Sequence, residues 1–304
     1  MGNEFKDDRG PFFFSSLRWA ERRLPGQTLY SFLKPFALAR ATLNTAFKNP
    51  RPRAHVPECL KAAWTWRTAR QRRMSAYLNQ YLECFPDRLA EAKWKDNCRM
   101  VGCDHLLKAW QSGCPVVAAF CHFGPIHLMR PWVRAWGIPS AALVKGKSEN
   151  RPEHIRKTDR LVRYPDLPTR FYLDQLKAAG EFLAAGNALF IAIDAAADKQ
   201  MDVPFCDGWI FQMATGAIRM AIRHQAELIP CSIIEEGPWR FRIEAGKPVP
   251  KEFLTTESEW PRAGTHLLAA MLPHFEAHPE QCGNSLIARL RKNSSATPPG
   301  KSNS

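Results

Sequence analysis

The chain has 304 residues, 43 Lys+Arg against 29 Asp+Glu, and a formal charge of +14. Its 45% apolar and 24% charged residues are the make-up of a globular protein and exclude a wholly disordered chain. No uncharged apolar run reaches the roughly 18 residues of a transmembrane helix, and MGNEFKDDRG lacks the apolar stretch of a secretory signal.

Through Ser75 the chain carries 15 Lys/Arg against 5 Asp/Glu, so +10 of the +14 lies in its first quarter. Such a segment suits nucleic acid, anionic lipid or an acidic protein, and charge alone does not choose among them. The run 29–47, LYSFLKPFALARATLNTAF, spaces Leu29, Phe32, Leu33, Phe36, Leu43 and Phe47 as a helix would, with Lys34 and Arg40 off the stripe. Aromatic and Leu-rich surface beside cations fits a helix lying at a membrane interface, and a core-packing helix with a solvated basic face fits equally. Pro35 predicts a kink. A second long helix is expected over 58–82, with Arg67, Arg70, Arg72 and Arg73 clustered near Trp64 and Trp66. No helix-turn-helix or RNP pattern accompanies it, so an anionic membrane surface, and no nucleic acid, is the expected partner.

After Pro86 comes a helical stretch, then the short apolar run VVAAF (116–120), as in a strand buried on both faces. SAALV (140–144), ALFIAID (188–194), LIPCSIIEE (228–236) and WRFRIEAG (239–246) read as further strands. DQLKAAGEFLAAG (174–186) and ATGAIRMAIRHQ (214–225) read as helices between them. This alternation predicts a single α/β domain over 86–292, with a mostly parallel central sheet flanked by helices. A basic amphipathic helical region over 1–85 precedes it. The polar Pro/Gly/Ser-rich tail, 293–304, is expected to be disordered. Nine cysteines form no C-x2-C pair, and most lie in apolar runs, which predicts core thiols in a reducing compartment.

His122 follows the strand VVAAF at its C-terminal end, where open α/β sheets place ligands. A neutral imidazole there can take a proton from a hydroxyl near neutral pH. Cys121 offers a thiol nucleophile instead, although in a continued strand the two side chains point to opposite faces.

FCHFGPIHLMRPW, followed by ALFIAIDAAADKQMDVPFCDGWIFQMATGAIRMAIRHQAELIPCSI, resembles the lipid A biosynthesis (lauroyl/myristoyl) branch of the lysophospholipid acyltransferase superfamily. The matching positions are His122 and Gly124, Asp194, Pro204 and Phe205 with Gly208 one residue late, Thr215 and Gly216, and Ile229 and Pro230. WKDNCRMVG (94–102) and SLRWAERRLPGQTLYSFLKPFA are similar to that branch's lead-in and its N-terminus, so the resemblance spans 15–250. It implies transfer of a fatty acyl group from acyl carrier protein or acyl-CoA to a lipid or glycolipid acceptor. His122 would be the base, and Gly124, Asp194, Phe205 and Thr215 would lie along the substrate. The basic run 145–170, holding Arg151, Arg156 and Arg160, falls where the family has its acceptor-binding sequence. No metal or other cofactor is implied, and attachment is expected to be peripheral, on the cytoplasmic face of the cell membrane.

One position departs from the pattern. The family has His-x4-Asp/Glu, and this chain has His127 in place of the carboxylate. His127 can accept a hydrogen bond from His122 but supplies no negative charge. The chain then works in an atypical way, borrows a carboxylate from Asp194, Glu153, Glu235 or Glu236, or is an inactive relative that binds lipid or anions on the same fold. Backbone donors around Gly124, or the 204–208 turn, are the expected oxyanion partners.

Overall fold

The computed structural model describes residues 23–24, 26–47, 56–83, 96–146, 167–168, 170–206 and 208–293. Helices α1 (Gly26–Phe47) and α2 (Trp66–Glu83) come first, separated by a 3-10 helix at Glu58–Trp64. Strand β1 (Cys98–Val101), α3 (Asp104–Gln111), β2 (Val116–Phe120), α4 (Ile126–Ala135), β3 (Ser140–Val144) and β4 (Arg170–Tyr172) follow. Then come α5 (Leu176–Ala184), β5 (Ala188–Ala192), β6 (Gln200–Pro204), β7 (Trp209–Ala214) and α6 (Gly216–Arg223). The last described elements are β8 (Glu227–Gly237), β9 (Arg240–Ala245), α7 (Trp260–Ala277), α8 (Asn284–Ile287) and β10 (Leu290–Lys292).

Seven strands form one sheet in the order β1-β9-β8-β2-β5-β3-β4. All its pairings are parallel except β8 with β9, so the α/β reading with a mostly parallel sheet holds. Strand β2 is buried at every position, because helices cover both sheet faces. Alternation divides its side chains between them. Val116, Ala118 and Phe120 join α1, α3 and α4 on one face, and Val117 and Ala119 join α5, α6 and α7 on the other. A smaller sheet, β10-β7-β6, packs into the second cluster through Val203, Phe211 and Met213.

One expected helix is broken and two features are added. The segment after Asp194 contains a β6–β7 hairpin, because Val203, Phe211 and Met213 need a covered face and the sheet gives them one. The run 58–82 breaks at Thr65, whose extended backbone separates the 3-10 helix from α2. Helix α1 continues through Pro35. Both Pro35 and Ser31, whose carbonyl loses its partner, are exposed, so water can satisfy the freed oxygen.

The apolar stripe of α1 divides in two. Leu29 and Leu33, with Ala37 and Ala41, are buried, and Tyr30 meets Trp239 edge-on at 5.5 Å. Phe32, Phe36, Leu43 and Phe47 stay 58%, 62%, 61% and 84% exposed. These four lie within a narrow arc at the helical period, so they form one continuous stripe. Helix α2 grips α1: Arg40 stacks on Tyr77 at 4.4 Å, and Arg73 Nη1 donates to the Asn44 carbonyl at 2.9 Å. No helix among the described residues is long and apolar enough to cross a membrane.

Candidate active site

Strands β2 and β5 run side by side in parallel, with Phe120 opposite Ala192. Both end on the same sheet edge, and each side chain of interest comes two residues after that last pair. Equal overhang brings His122 and Asp194 together. His122 Nδ1 lies 2.7 Å from Asp194 Oδ1, and the His122 backbone N–H donates to Oδ2 at 2.8 Å. Asp194 is completely buried, whereas the His122 side chain is 36% exposed. The Ile193 N–H donates to the Phe120 carbonyl at 2.8 Å and the Ala214 N–H to the Ile193 carbonyl at 2.8 Å, so the carboxylate sits on a fixed backbone.

Where the Asp194 carboxylate only accepts, Nδ1 carries the imidazole proton and Nε2 the free lone pair. Nε2 bonds no described side chain or backbone group. The arrangement can remove a proton from a hydroxyl or amine placed at Nε2 and stabilise the imidazolium that results.

Asp194 thus stands beside His122, where the sequence pattern would place residue 127. His127 is exposed on the first turn of α4. Two of the other carboxylates are engaged elsewhere. Glu236 pairs with Arg99 at 2.9 Å and with Arg242 at 2.7 Å, and Glu235 accepts from Ser75 Oγ and from Asn79 Nδ2 on α2. Glu153, Arg151, Arg156 and Arg160 lie outside the described residues. Cys121 is buried on the opposite face from His122, and burial pushes its thiol well above the ordinary range. It stays protonated, a poor nucleophile.

The loop from His122 to Gly124 is held by residues that sequence reasoning missed. The Gly124 N–H donates to the Gln281 carbonyl at 3.0 Å, Phe123 bridges Cys282, and the Gly283 N–H donates to the His122 carbonyl at 2.7 Å. The Gln281 side chain in turn clamps the Glu235 backbone, accepting from its N–H at 3.0 Å and donating to its carbonyl at 2.8 Å. Arg72 Nη1 donates to the Cys282 carbonyl at 3.0 Å, so α2 supports the strap. Gly124 does not offer the expected oxyanion donor. Its amide is already committed to Gln281, as those of His122 and Phe123 are to Asp194 and the Cys121 carbonyl, and so none of the three is free for an oxyanion.

Thr215 is buried, and its amide and hydroxyl contact the Lys199 carbonyl at 3.2 and 3.4 Å. It braces the turn that follows Asp194. Phe205 is half-buried at the β6–β7 turn, stacked 6.3 Å from Phe211, with its amide donating to the Trp209 carbonyl.

Glu235, at the same sheet edge, is a titratable group the dyad does not use. Desolvation raises its pKa above the ordinary carboxylate value, Glu280 adds to that, and the bonds from Ser75 and Asn79 oppose it. Tyr30 of α1 lies close enough that Glu235 contributes to raising the phenol. A raised carboxylate binds more protons folded than unfolded, so stability falls as pH rises from the ordinary carboxylate range through the Glu235 value. Glu235→Gln keeps an acceptor for both partners and removes the titration. Thermal melts across that window should show a shallower decline for the variant, and an unchanged slope would contradict the assignment.

No family model matches the chain, and no curated protein sequence does. Among solved structures it is similar to the 1-acyl-sn-glycerophosphate (LPA) acyltransferase PlsC from Thermotoga maritima, at 15% identity with a TM-score of 0.42. The likeness covers 87% of this chain and 95% of that one.

Proposed function

We propose that this protein transfers a fatty acyl group from a thioester, carried by acyl carrier protein or coenzyme A, to a lipid or glycolipid acceptor at a membrane surface. The observation that carries the proposal is the His122–Asp194 pair at the open edge of the sheet, with Nε2 unengaged by described residues. In this reading the acceptor hydroxyl or amine gives its proton to Nε2 and attacks the thioester carbonyl. The tetrahedral oxyanion then collapses, expelling the thiolate, which recovers a proton from the imidazolium. The order of motifs from His122 through Ile229–Pro230 supports acyl transfer and favours the lipid A branch. Asp194 supports the active reading, since its carboxylate, just after β5, lies beside His122 where His127 offers no charge.

The chemistry is tested by lipid mass spectrometry on cells with and without the gene. An acylated species lost on deletion, restored by the wild-type chain and not by His122→Ala, is the expected result. No lipid difference, or restoration by His122→Ala, would favour a non-catalytic lipid- or anion-binding protein.

Attachment rests on the exposed stripe of α1 and the basic first quarter. Burying Phe32, Phe36, Leu43 and Phe47 in the interface yields about 1.5–3 kcal/mol for each fully buried side chain. Each nearby Lys or Arg adds about 1 kcal/mol on an anionic surface, weakened by salt. Flotation with vesicles containing anionic phospholipid should show binding that the combined change of those four residues to Ser abolishes. Binding that survives the change, or equal binding to neutral vesicles, would refute this mode of attachment. By this reading the protein sits peripherally on the cytoplasmic face of the membrane.

A further inference from the structure

Cys59, in the 3-10 helix between α1 and α2, and Cys206, in the turn of the β6–β7 hairpin, place their sulfurs 2.9 Å apart. Both are half-buried and outside any disulfide, and they come from segments far apart in the chain. The geometry points to a modification site: we propose that a low-molecular-weight disulfide oxidises this pair to an intramolecular Cys59–Cys206 bond. Reaching the ~2.05 Å of a covalent S–S bond requires the sulfurs to close by only roughly 0.9 Å.

The chemistry balances in two exchanges. One protein thiolate attacks the oxidant disulfide, forming a mixed disulfide and releasing one small thiol. The second protein thiolate attacks the protein sulfur of that mixed disulfide and releases the other. The protein loses two protons and two electrons, and the oxidant is reduced to two thiols.

Surroundings make the pair selective. Cys98, Cys103, Cys121, Cys231 and Cys282 are buried, and desolvation raises each thiol, that of Cys103 to about 11, so little thiolate forms there. Cys114 precedes β2, at the sheet edge opposite to His122. Cys282 is the competing neighbour, near enough for Cys59 to raise its thiol, but it is completely buried.

The bond would join the helical first part of the chain to the hairpin that carries Phe205. This inference stands on the thiol geometry alone, so it holds or fails independently of acyl transfer. Purified full-length protein, fully reduced, is incubated with oxidised glutathione or with the smaller hydroxyethyl disulfide. Intact mass should fall by two hydrogens with no adduct retained, peptide mapping should link Cys59 to Cys206, and dithiothreitol should reverse both. The oxidised form should melt several degrees higher, because the cross-link restricts the unfolded chain. Cys59→Ser and Cys206→Ser should each lose the cross-link and accumulate a mixed disulfide on the remaining thiol. A fully reduced product with both oxidants, or a bond joining Cys59 to Cys282 or any other cysteine, would overturn the proposal.

Discussion

His122→Ala is expected to lower acyl transfer by about two to four decades, the range that a positioned general base contributes. Asp194→Asn should fall in the same range without unfolding the chain. An Asn amide nitrogen facing Nδ1 would donate, forcing the imidazole proton onto Nε2 and blocking the lone pair that accepts from the acceptor. His127→Glu, which restores the carboxylate of the His-x4-acid pattern, should change turnover little, because Asp194 already supplies the charge. The three variants are compared under identical donor and lipid conditions, with circular dichroism to confirm folding. Wild-type turnover in Asp194→Asn, or a rise of more than tenfold in His127→Glu, would show that the charge is needed at position 127.

The second large effect is on stability. At Gly124, where φ is +64°, an added Cβ would lie 2.0 Å from the Ile233 carbonyl oxygen. Both groups are backbone, so no rotamer change relieves the overlap, and the His122–Gly124 loop must leave β8 and the Gln281–Gly283 strap. Gly124→Ala is expected to cost about 3–5 kcal/mol, among the larger values for one substitution. Gly113→Ala is the control. Its φ is +73° and a Cβ there meets nothing within 4 Å, so only the left-handed backbone is penalised, by about 1 kcal/mol. Urea unfolding measures both, and equal costs would show that the contact with Ile233 is not what requires glycine.

The central strands were legible because their runs are continuous and apolar. Strand β2 is buried at each position, and Ala188–Ala192 and Glu227–Gly237 behave likewise over most of their length. Strands β6 and β7 were less visible, since polar residues at Gln200, Asp202 and Gln212 interrupt them and their pairing is what makes them strands. His122 could be found from its position after a buried run. Its carboxylate could only be narrowed to four residues, because the choice depends on β2 lying beside β5 in a particular register. The Gln281–Gly283 strap carried no periodic signal at all. Its value comes from backbone groups, which every residue has, and from a glycine whose absent side chain leaves room for the His122 carbonyl 2.3 Å from where a Cβ would be.

That strap has a bearing on when the site comes into being during synthesis. Every motif from His122 to Pro230 emerges from the ribosome before Gln281, Cys282 and Gly283 do, yet the loop's final backbone partners are these three. A nascent chain that has completed β9 holds both members of the dyad but leaves the Gly124 N–H and the His122 carbonyl facing water. The His122–Gly124 loop completes its backbone bonds late in translation, and a chain truncated before Gln281 would retain the motifs without these contacts.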